Sequence, residues 1–153
     1  MSDIRYVKAK KTDIEILMQV RLEMLREVNN LPDSYEYVAT FVDESRRYFE
    51  EGNQTTVLAI DGETVVGCAS ISYIWIMPTY SHPTGNRAHL MNVYTRADYR
   101  RHGISKKMVE ILIEEAVKKG VTEISLDATE MGRPLYEALG FVESDSGMVM
   151  ELK

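Results

Sequence analysis

Residues 55–60 and 64–75 are two runs rich in β-branched and aromatic side chains, joined at Asp61-Gly62. An Asp-Gly pair flanked by such runs is the strongest short-range signal of a two-residue β-hairpin. The middle of the chain is therefore an antiparallel pair, and what precedes and follows it must pack on a sheet. The longest apolar stretch, residues 65–77, is broken by Gly67, Ser70 and Ser72. It falls short of the ~18 residues that argue for a membrane span and reads as one long buried strand.

Before the hairpin, residues 4–7 read as a short first strand. Thr12 and Glu15 have capping-box spacing, and Ile14, Leu17, Met18, Met24, Leu25 and Val28 then recur at helical intervals. Arg21 lies on that apolar stripe, so its guanidinium either snorkels to the rim or meets an anion. Pro32 and Asp33 open a second helix that buries Tyr35, Val38, Phe41, Val42, Tyr48 and Phe49 and closes at Gly52. After the hairpin come an irregular excursion over 77–87, a strand over 89–95, and a helix from Ile104 to Gly120. A strand over 121–128, a short helix over 134–139 and a terminal hairpin over 141–152, turning at 145–147, complete the chain. The order is βααβββαβαββ, an α/β (α+β layered) domain with seven strands in a mixed sheet and helices on its faces.

Composition bounds the rest. With 153 residues, 44% hydrophobic and 27% charged, the chain is an ordinary globular protein, not collagen-like, mucin-like or disordered. Residues 1–153 form one domain, since a domain of about 150 residues buries roughly 70% of its unfolded surface. The first dozen residues carry Asp3, Arg5, Lys8, Lys10 and Lys11 and no apolar stretch, so a cytoplasmic protein is expected. Cys68 is the single cysteine, which excludes an intramolecular disulfide and reads as a small buried hydrophobe. His82 and His89 lack companions at ligand spacing, so no metal is expected. No basic stripe interleaved with aromatics argues for nucleic acid.

The residues that carry chemistry are Tyr99-Arg100-Arg101-His102-Gly103-Ile104-Ser105-Lys106-Lys107, between a strand and a long helix. The first turn of a helix has N–H groups without intrahelical partners and a partial positive charge, so such a junction suits a phosphate. Residues 96–107 hold five cations and one acid, a local +4, against 13 cations and 23 acids, a net −10, in the rest of the chain. A solvated basic turn capping a helix has the same pattern. The three-glycine dinucleotide spacing and the Gly-Lys-Ser/Thr ending of a P-loop are both absent.

Arg100-x-x-Gly103-x-Ser105 after Asn92-Val93-Tyr94-Thr95, together with Gly132-Arg133-Pro134-Leu135-Tyr136-Glu137-Ala138-Leu139-Gly140-Phe141 and the element order, resembles the GNAT superfamily of acetyl-CoA-dependent N-acetyltransferases. The resemblance spans the chain and is strongest over residues 89–141. Ser105 departs from the Gly or Ala usual there but is still small. The resemblance implies a mostly antiparallel sheet whose central strands, at residues 92–94 and 124–128, splay so that the pantetheine arm pairs with the freed edge. It assigns acetyl-CoA contacts to Asn92, Val93, Tyr94, Arg100, Arg101, His102, Gly103, Ile104, Ser105, Lys106, Thr129 and Tyr136.

As catalytic groups it implies the Val93 N–H, polarising the thioester carbonyl, and Tyr136, serving the departing thiolate as acid or hydrogen-bond donor. An amine near pKa 10 needs a base. His89, Asp127, Glu130, Glu23, Glu27 and a water chain all remain open. Arg21, Glu27, His89 and Asp127 are the candidate acceptor contacts, with residues 21–33 and 77–87 flanking the thioester end. The expected acceptor is the primary amine of a small molecule, acetylated directly in a ternary complex. The alternatives are a protein or peptide acceptor, or a catalytically silent coenzyme A sensor or partner-binding module. The resemblance also makes a homodimer through the C-terminal hairpin an option.

Overall fold

The computed structural model describes residues 3–144 and 146–153. Its elements are β1 (Ile4–Lys8), α1 (Ile14–Val28), α2 (Ala39–Glu51), β2 (Gln54–Asp61), β3 (Thr64–Trp75), β4 (Asn86–Thr95), α3 (Ile104–Lys118), β5 (Glu123–Ser125) and α4 (Arg133–Ala138). The strands lie in sequence order in a single five-stranded sheet. All neighbours are antiparallel except β4 and β5, which are parallel and joined by the crossover helix α3. The hairpin forms where Asp61-Gly62 predicts it: Asp61 pairs with Thr64, and Gly62 takes the positive φ of 64° that the tight turn demands.

Alternation along β3 sorts the core into two layers. Ala69, Ile71 and Tyr73 face α3, whose Met108, Leu112 and Ala116 are buried against Val57, Val66 and Leu90. Cys68 points the other way, with Leu58 and Tyr94, into Leu17, Met18, Val20 and Met24 of α1 and Phe49 of α2. At Gly67 both β4 and α3 crowd β3: a Cβ there would meet the Tyr94 carbonyl oxygen at 2.8 Å and the Met108 methyl at 3.1 Å. Helices on both faces of a mixed, mostly antiparallel sheet are thus as the sequence predicts.

The count of seven strands is not. Residues 121–128 form a strand only at Glu123–Ser125, paired with Arg87, Ala88 and His89. Beyond α4 no described residue is in a strand, so the order is βααβββαβα. The 141–152 hairpin has the right alternation but finds no ladder to join, because β5 offers a three-residue edge. Val142, Met148, Met150 and Leu152 are left more than four-fifths exposed, and the turn position 145 lies outside the described residues.

Other boundaries move for local reasons. Asp13, not Thr12, satisfies the chain entering α1, its carboxylate accepting the Lys10 N–H at 2.7 Å. The second helix starts at Ala39 because residues 33–38 are held in a non-helical path by the Tyr37 hydroxyl donating to the Leu22 carbonyl at 2.7 Å. Tyr35, read as part of the helical face, therefore lies ahead of the helix, edge-on to Tyr37 at 5.2 Å, and Tyr37 in turn stacks with Phe41 at 5.8 Å. Among the described residues no helix is long and apolar enough to cross a membrane.

Leu112 is fully buried between α3 and the sheet. Leu112→Ala should cost about 2–5 kcal/mol of stability through lost burial plus a residual cavity. Denaturant unfolding should show a lower midpoint with an unchanged slope; an unshifted midpoint would mean that α3 does not carry the core.

Candidate active site

The site is built around an irregularity in β4. Cys68 faces Tyr94 and Ser70 faces Met91, so Asn92 and Val93 together oppose Ala69 alone. This is a β-bulge, with Asn92 in the left-handed region at φ 59°. It switches the facing of the strand. Ala88 and Leu90 point to α3, Met91 and Asn92 both turn into a cavity beside α2, and Tyr94 then faces α1. On its other edge β4 is paired with β5 only as far as His89 and Ser125. From Leu90 to Thr95 no strand among the described residues lies on that edge; residues 126–128 are not in a strand, so the two diverging strands that the resemblance implies are replaced by a short β5 and an open edge.

Three side chains hold the bulge. Arg21 of α1 donates from Nη1 to Asn92 Oδ1 at 2.9 Å, and the Cys68 thiol donates to the Asn92 carbonyl at 3.3 Å. The Asn92 amide in turn reaches Cys68 Sγ at 3.6 Å. Asn is among the few non-glycine residues that tolerate this backbone region, because its short polar side chain can bond locally. Burial pushes the Cys68 thiol up to about 12, so it is a neutral donor and not a nucleophile. Among the described residues Arg21 meets no carboxylate; it is half-buried at the cavity, and its guanidinium also lies over the Phe41 ring at 5.8 Å.

The basic junction forms as predicted at the head of α3. Gly103 precedes the helix at φ 76°, and Arg101 shares the left-handed region at φ 69°. The first intrahelical bond runs from the Lys107 N–H to the Gly103 carbonyl at 3.0 Å. The N–H groups ahead of it have no intrahelical acceptor. A Cβ on Gly103 would meet no protein atom within 4 Å, so the space in front of this turn is open to a phosphate-bearing ligand.

The charge there is smaller than the sequence suggests. Arg96 is held by Glu23 through two bonds of 2.9 and 2.8 Å, and Arg100 is ion-paired with Glu27 while donating to the Thr95 carbonyl at 2.8 Å. Of the five cations in residues 96–107, those left without an acidic partner among the described residues are Arg101, Lys106 and Lys107. Ser105 uses its hydroxyl structurally, 2.6 Å from Thr95 Oγ1, and Ile104 is buried in the α3 layer. Exposed His102 sits in the turn itself.

The remaining predicted residues lie around β5. His89 Nδ1 is 2.8 Å from Ser125 Oγ at the last β4–β5 pair. Its Nε2 faces Asp127, a fully exposed carboxylate, at 3.9 Å. Thr129 accepts the Gly132 N–H at 3.1 Å and so shapes the entry to α4. Tyr136 packs edge-on against Phe141 at 5.9 Å, and burial raises its phenol above the ordinary value. Glu23 and Glu27, both open as bases on sequence grounds, are committed to Arg96 and Arg100 and also accept from the Tyr94 hydroxyl at 3.1 and 3.4 Å.

A cavity of about 330 Å³ adjoins the bulge. Arg21, a candidate acceptor contact, lines it together with Met91 and with Asn92, which the resemblance assigns to acetyl-CoA, and its wall is α2, with Phe41, Tyr48 and Phe49. The excursion over 77–87 does not line it; Arg87 is turned to Glu123 at 2.9 Å. Sequence reasoning places the α2 aromatics in the core and misses the cavity. The available signal is a pair of small hydroxyls, Ser70 and Ser72, on the sheet face opposite α2 where β3 otherwise carries bulk.

The family model described as Acetyltransferase (GNAT) family matches residues 22–141. The chain belongs to that family. Over 90 residues, 58% of each protein, it is 33% identical to glucosamine 6-phosphate N-acetyltransferase of Trypanosoma brucei brucei. Over 87 residues, 55% of this chain and 51% of the relative, it is 30% identical to thialysine N-epsilon-acetyltransferase of Bos taurus. The matched stretches thus span about half the length of these curated relatives. A solved structure, a predicted acetyltransferase with acetyl-CoA from Clostridium acetobutylicum, superposes with a TM-score of 0.86 at 27% identity, covering 97% of this chain and 96% of that one.

The ion pairs bracing this GNAT site predict its acid behaviour. Hydrogen bonding to Arg96 is the largest influence holding the Glu23 carboxyl below its usual value. A depressed carboxylate contributes stability above its unfolded pKa, about 4.3, and loses it as pH falls through the folded value. Glu23→Gln should therefore lower Tm at pH 7 and flatten the fall of Tm below about pH 4.3 relative to wild type. Parallel Tm–pH curves for the two proteins would show that the pair contributes nothing.

Proposed function

We propose that this protein transfers an acetyl group from acetyl-CoA to the primary amine of a small molecule by direct attack in a ternary complex. The observation that carries this reading is the six-residue stretch of β4, Leu90 to Thr95, that among the described residues has no strand on one edge, is bulged at Asn92–Val93 and leads into the left-handed basic turn before α3. A free strand edge can pair with an amide-bearing arm, and the turn beyond it can take a diphosphate on backbone N–H groups. The fit to acetyl-CoA rests on that open cradle at Gly103 with Arg101, Lys106 and Lys107 around it.

In this reading the Val93 N–H, loosened from the ladder by the bulge, donates to the thioester oxygen and stabilises the negative charge that grows there on attack. The amine nitrogen bonds to the carbonyl carbon, the carbon–sulfur bond breaks, and the surplus amine proton leaves to a base. With Glu23 and Glu27 committed to arginines, His89, Asp127 and Glu130 are the candidate side chains left to receive it, directly or through water. Tyr136 hydrogen-bonds the departing sulfur. A phenol near 10 facing a thiol near 8.5 already runs about 2 kcal/mol uphill for full transfer. Burial of Tyr136 widens that gap, which favours hydrogen-bond donation over complete proton transfer. The cavity of about 330 Å³ beside the bulge suits a small acceptor.

Thiol release from acetyl-CoA across a panel of amines tests the reading. Tyr136→Phe should lower kcat about tenfold or more while leaving acetyl-CoA affinity within about threefold; an unchanged kcat would remove the tyrosine from the reaction. Cys68→Ala should keep kcat within several-fold and cost about 1 kcal/mol of stability through the lost bond to Asn92. An acetyl group found on the Cys68 sulfur of wild type by mass spectrometry after incubation with acetyl-CoA would contradict direct transfer.

A further inference from the structure

The charges on α1 that face the sheet are matched, with one exception. Glu23 holds Arg96 and Glu27 holds Arg100. Arg21, two residues before Glu23 on the same helix, is half-buried at the cavity, and among the described residues no carboxylate lies within ion-pair distance of it. Its protein partners are a neutral amide oxygen, Asn92 Oδ1 at 2.9 Å, and the Phe41 ring. A guanidinium has five N–H donors and stays charged in proteins, so most of its fork remains for a ligand.

The other ionisable groups at the cavity do not answer that charge. Cys68 and Tyr48 are both pushed upward by burial and are neutral. Glu44 also borders the cavity, but its side chain is 60% exposed and sits 3.3 Å from Arg47 on the outer face of α2. What the cavity presents is one desolvated cation beside three aromatic rings, Phe41, Tyr48 and Phe49. A polyamine or another dication would bring a second positive charge next to Arg21. The net charge of −6 attracts cations at long range, but that attraction is screened within about 10 Å at ordinary salt, whereas contact pairing in a water-poor cavity is not.

Resting on the acyl-transfer reading above, we infer that the acceptor is an amino-carboxylate: Arg21 takes its carboxylate, the α2 aromatics take an apolar side chain, and its amine lies toward the β4 bulge. Binding the carboxylate supplies the counter-charge that the protein withholds, and Asn92 keeps the guanidinium plane fixed for it.

Matched pairs test this: phenylalanine against phenylalaninamide, and leucine against leucinamide. Each is assayed for thiol release from acetyl-CoA and, separately, for binding by calorimetry. Wild type should favour the acids by about tenfold or more in kcat/KM, the scale of a charge-assisted hydrogen bond. The amides have the less basic amine and, on free-amine concentration alone, would lead. Arg21→Gln can still donate to Asn92 and should bring acid and amide within about twofold of each other. Equal use and equal binding of acid and amide by wild type would overturn the inference. So would an Arg21→Gln that loses both substrates equally, since Arg21 would then only hold the bulge, or a protein that binds neither acid. Acids bound in preference to amides with no thiol released would remove the acyl-transfer reading and keep the carboxylate site; amine acetylation blind to the carboxylate would do the reverse.

Discussion

Two β4 residues, Asn92 and Val93, share one partner on β3, and the geometry around the candidate active site follows from that. The extra residue turns Met91 and Asn92 to the same side of the sheet, where an unbroken strand would place them on opposite sides. It also bends the strand locally. The β4–β5 ladder ends just ahead of it, at His89 and Ser125, after three pairs. The cavity under α2 and the free strand edge therefore meet at the inserted residue. The bulge is a strained feature, since a non-glycine residue sits at φ 59°. The Arg21–Asn92–Cys68 contacts are what hold it there.

α1 acts as a brace across this region. At intervals of two and four residues it sends Arg21 to the bulge, Glu23 to Arg96 at the end of β4, and Glu27 to Arg100 in the basic turn. These contacts tie the strand, the turn and the head of α3 to one rigid helix. They also redistribute charge. The local +4 of residues 96–107 counts Arg96 and Arg100, which α1 neutralises, so the exposed positive charge narrows to Arg101, Lys106 and Lys107 around the open cradle at Gly103. Binding charge is placed by removing it elsewhere as much as by adding it.

This division explains what was legible in the sequence. The hairpin at Asp61-Gly62, the α3 helix with its basic glycine cap and the two-sided core follow from local turn chemistry and periodicity, which act over a few residues. The bulge does not. Residues 89–95 have ordinary strand composition, and only pairing with β3 shows that Asn92 and Val93 face one residue. The terminal hairpin errs in the opposite direction: the alternation of residues 141–152 is a strand pattern, but a pattern needs a ladder, and a three-residue β5 supplies almost none. The α2 aromatics read as core because apolar side chains lining a cavity and side chains filling a core share one helical period.

Arg21 shows how a local rule broken in the sequence points to something that only the fold resolves. A cation on an apolar stripe conflicts with the pattern around it, and burying it without a carboxylate is costly. Its desolvation is the largest influence on its own protonation, lowering its pKa. Holding the bulge does not by itself call for a full charge, since a neutral donor could bond Asn92 Oδ1 equally well. Glu23 and Glu27 show that this helix can supply carboxylates to nearby arginines. A charge kept beside an apolar cavity, and left unmatched where its neighbours are matched, is best explained by a ligand that brings the opposite charge with it.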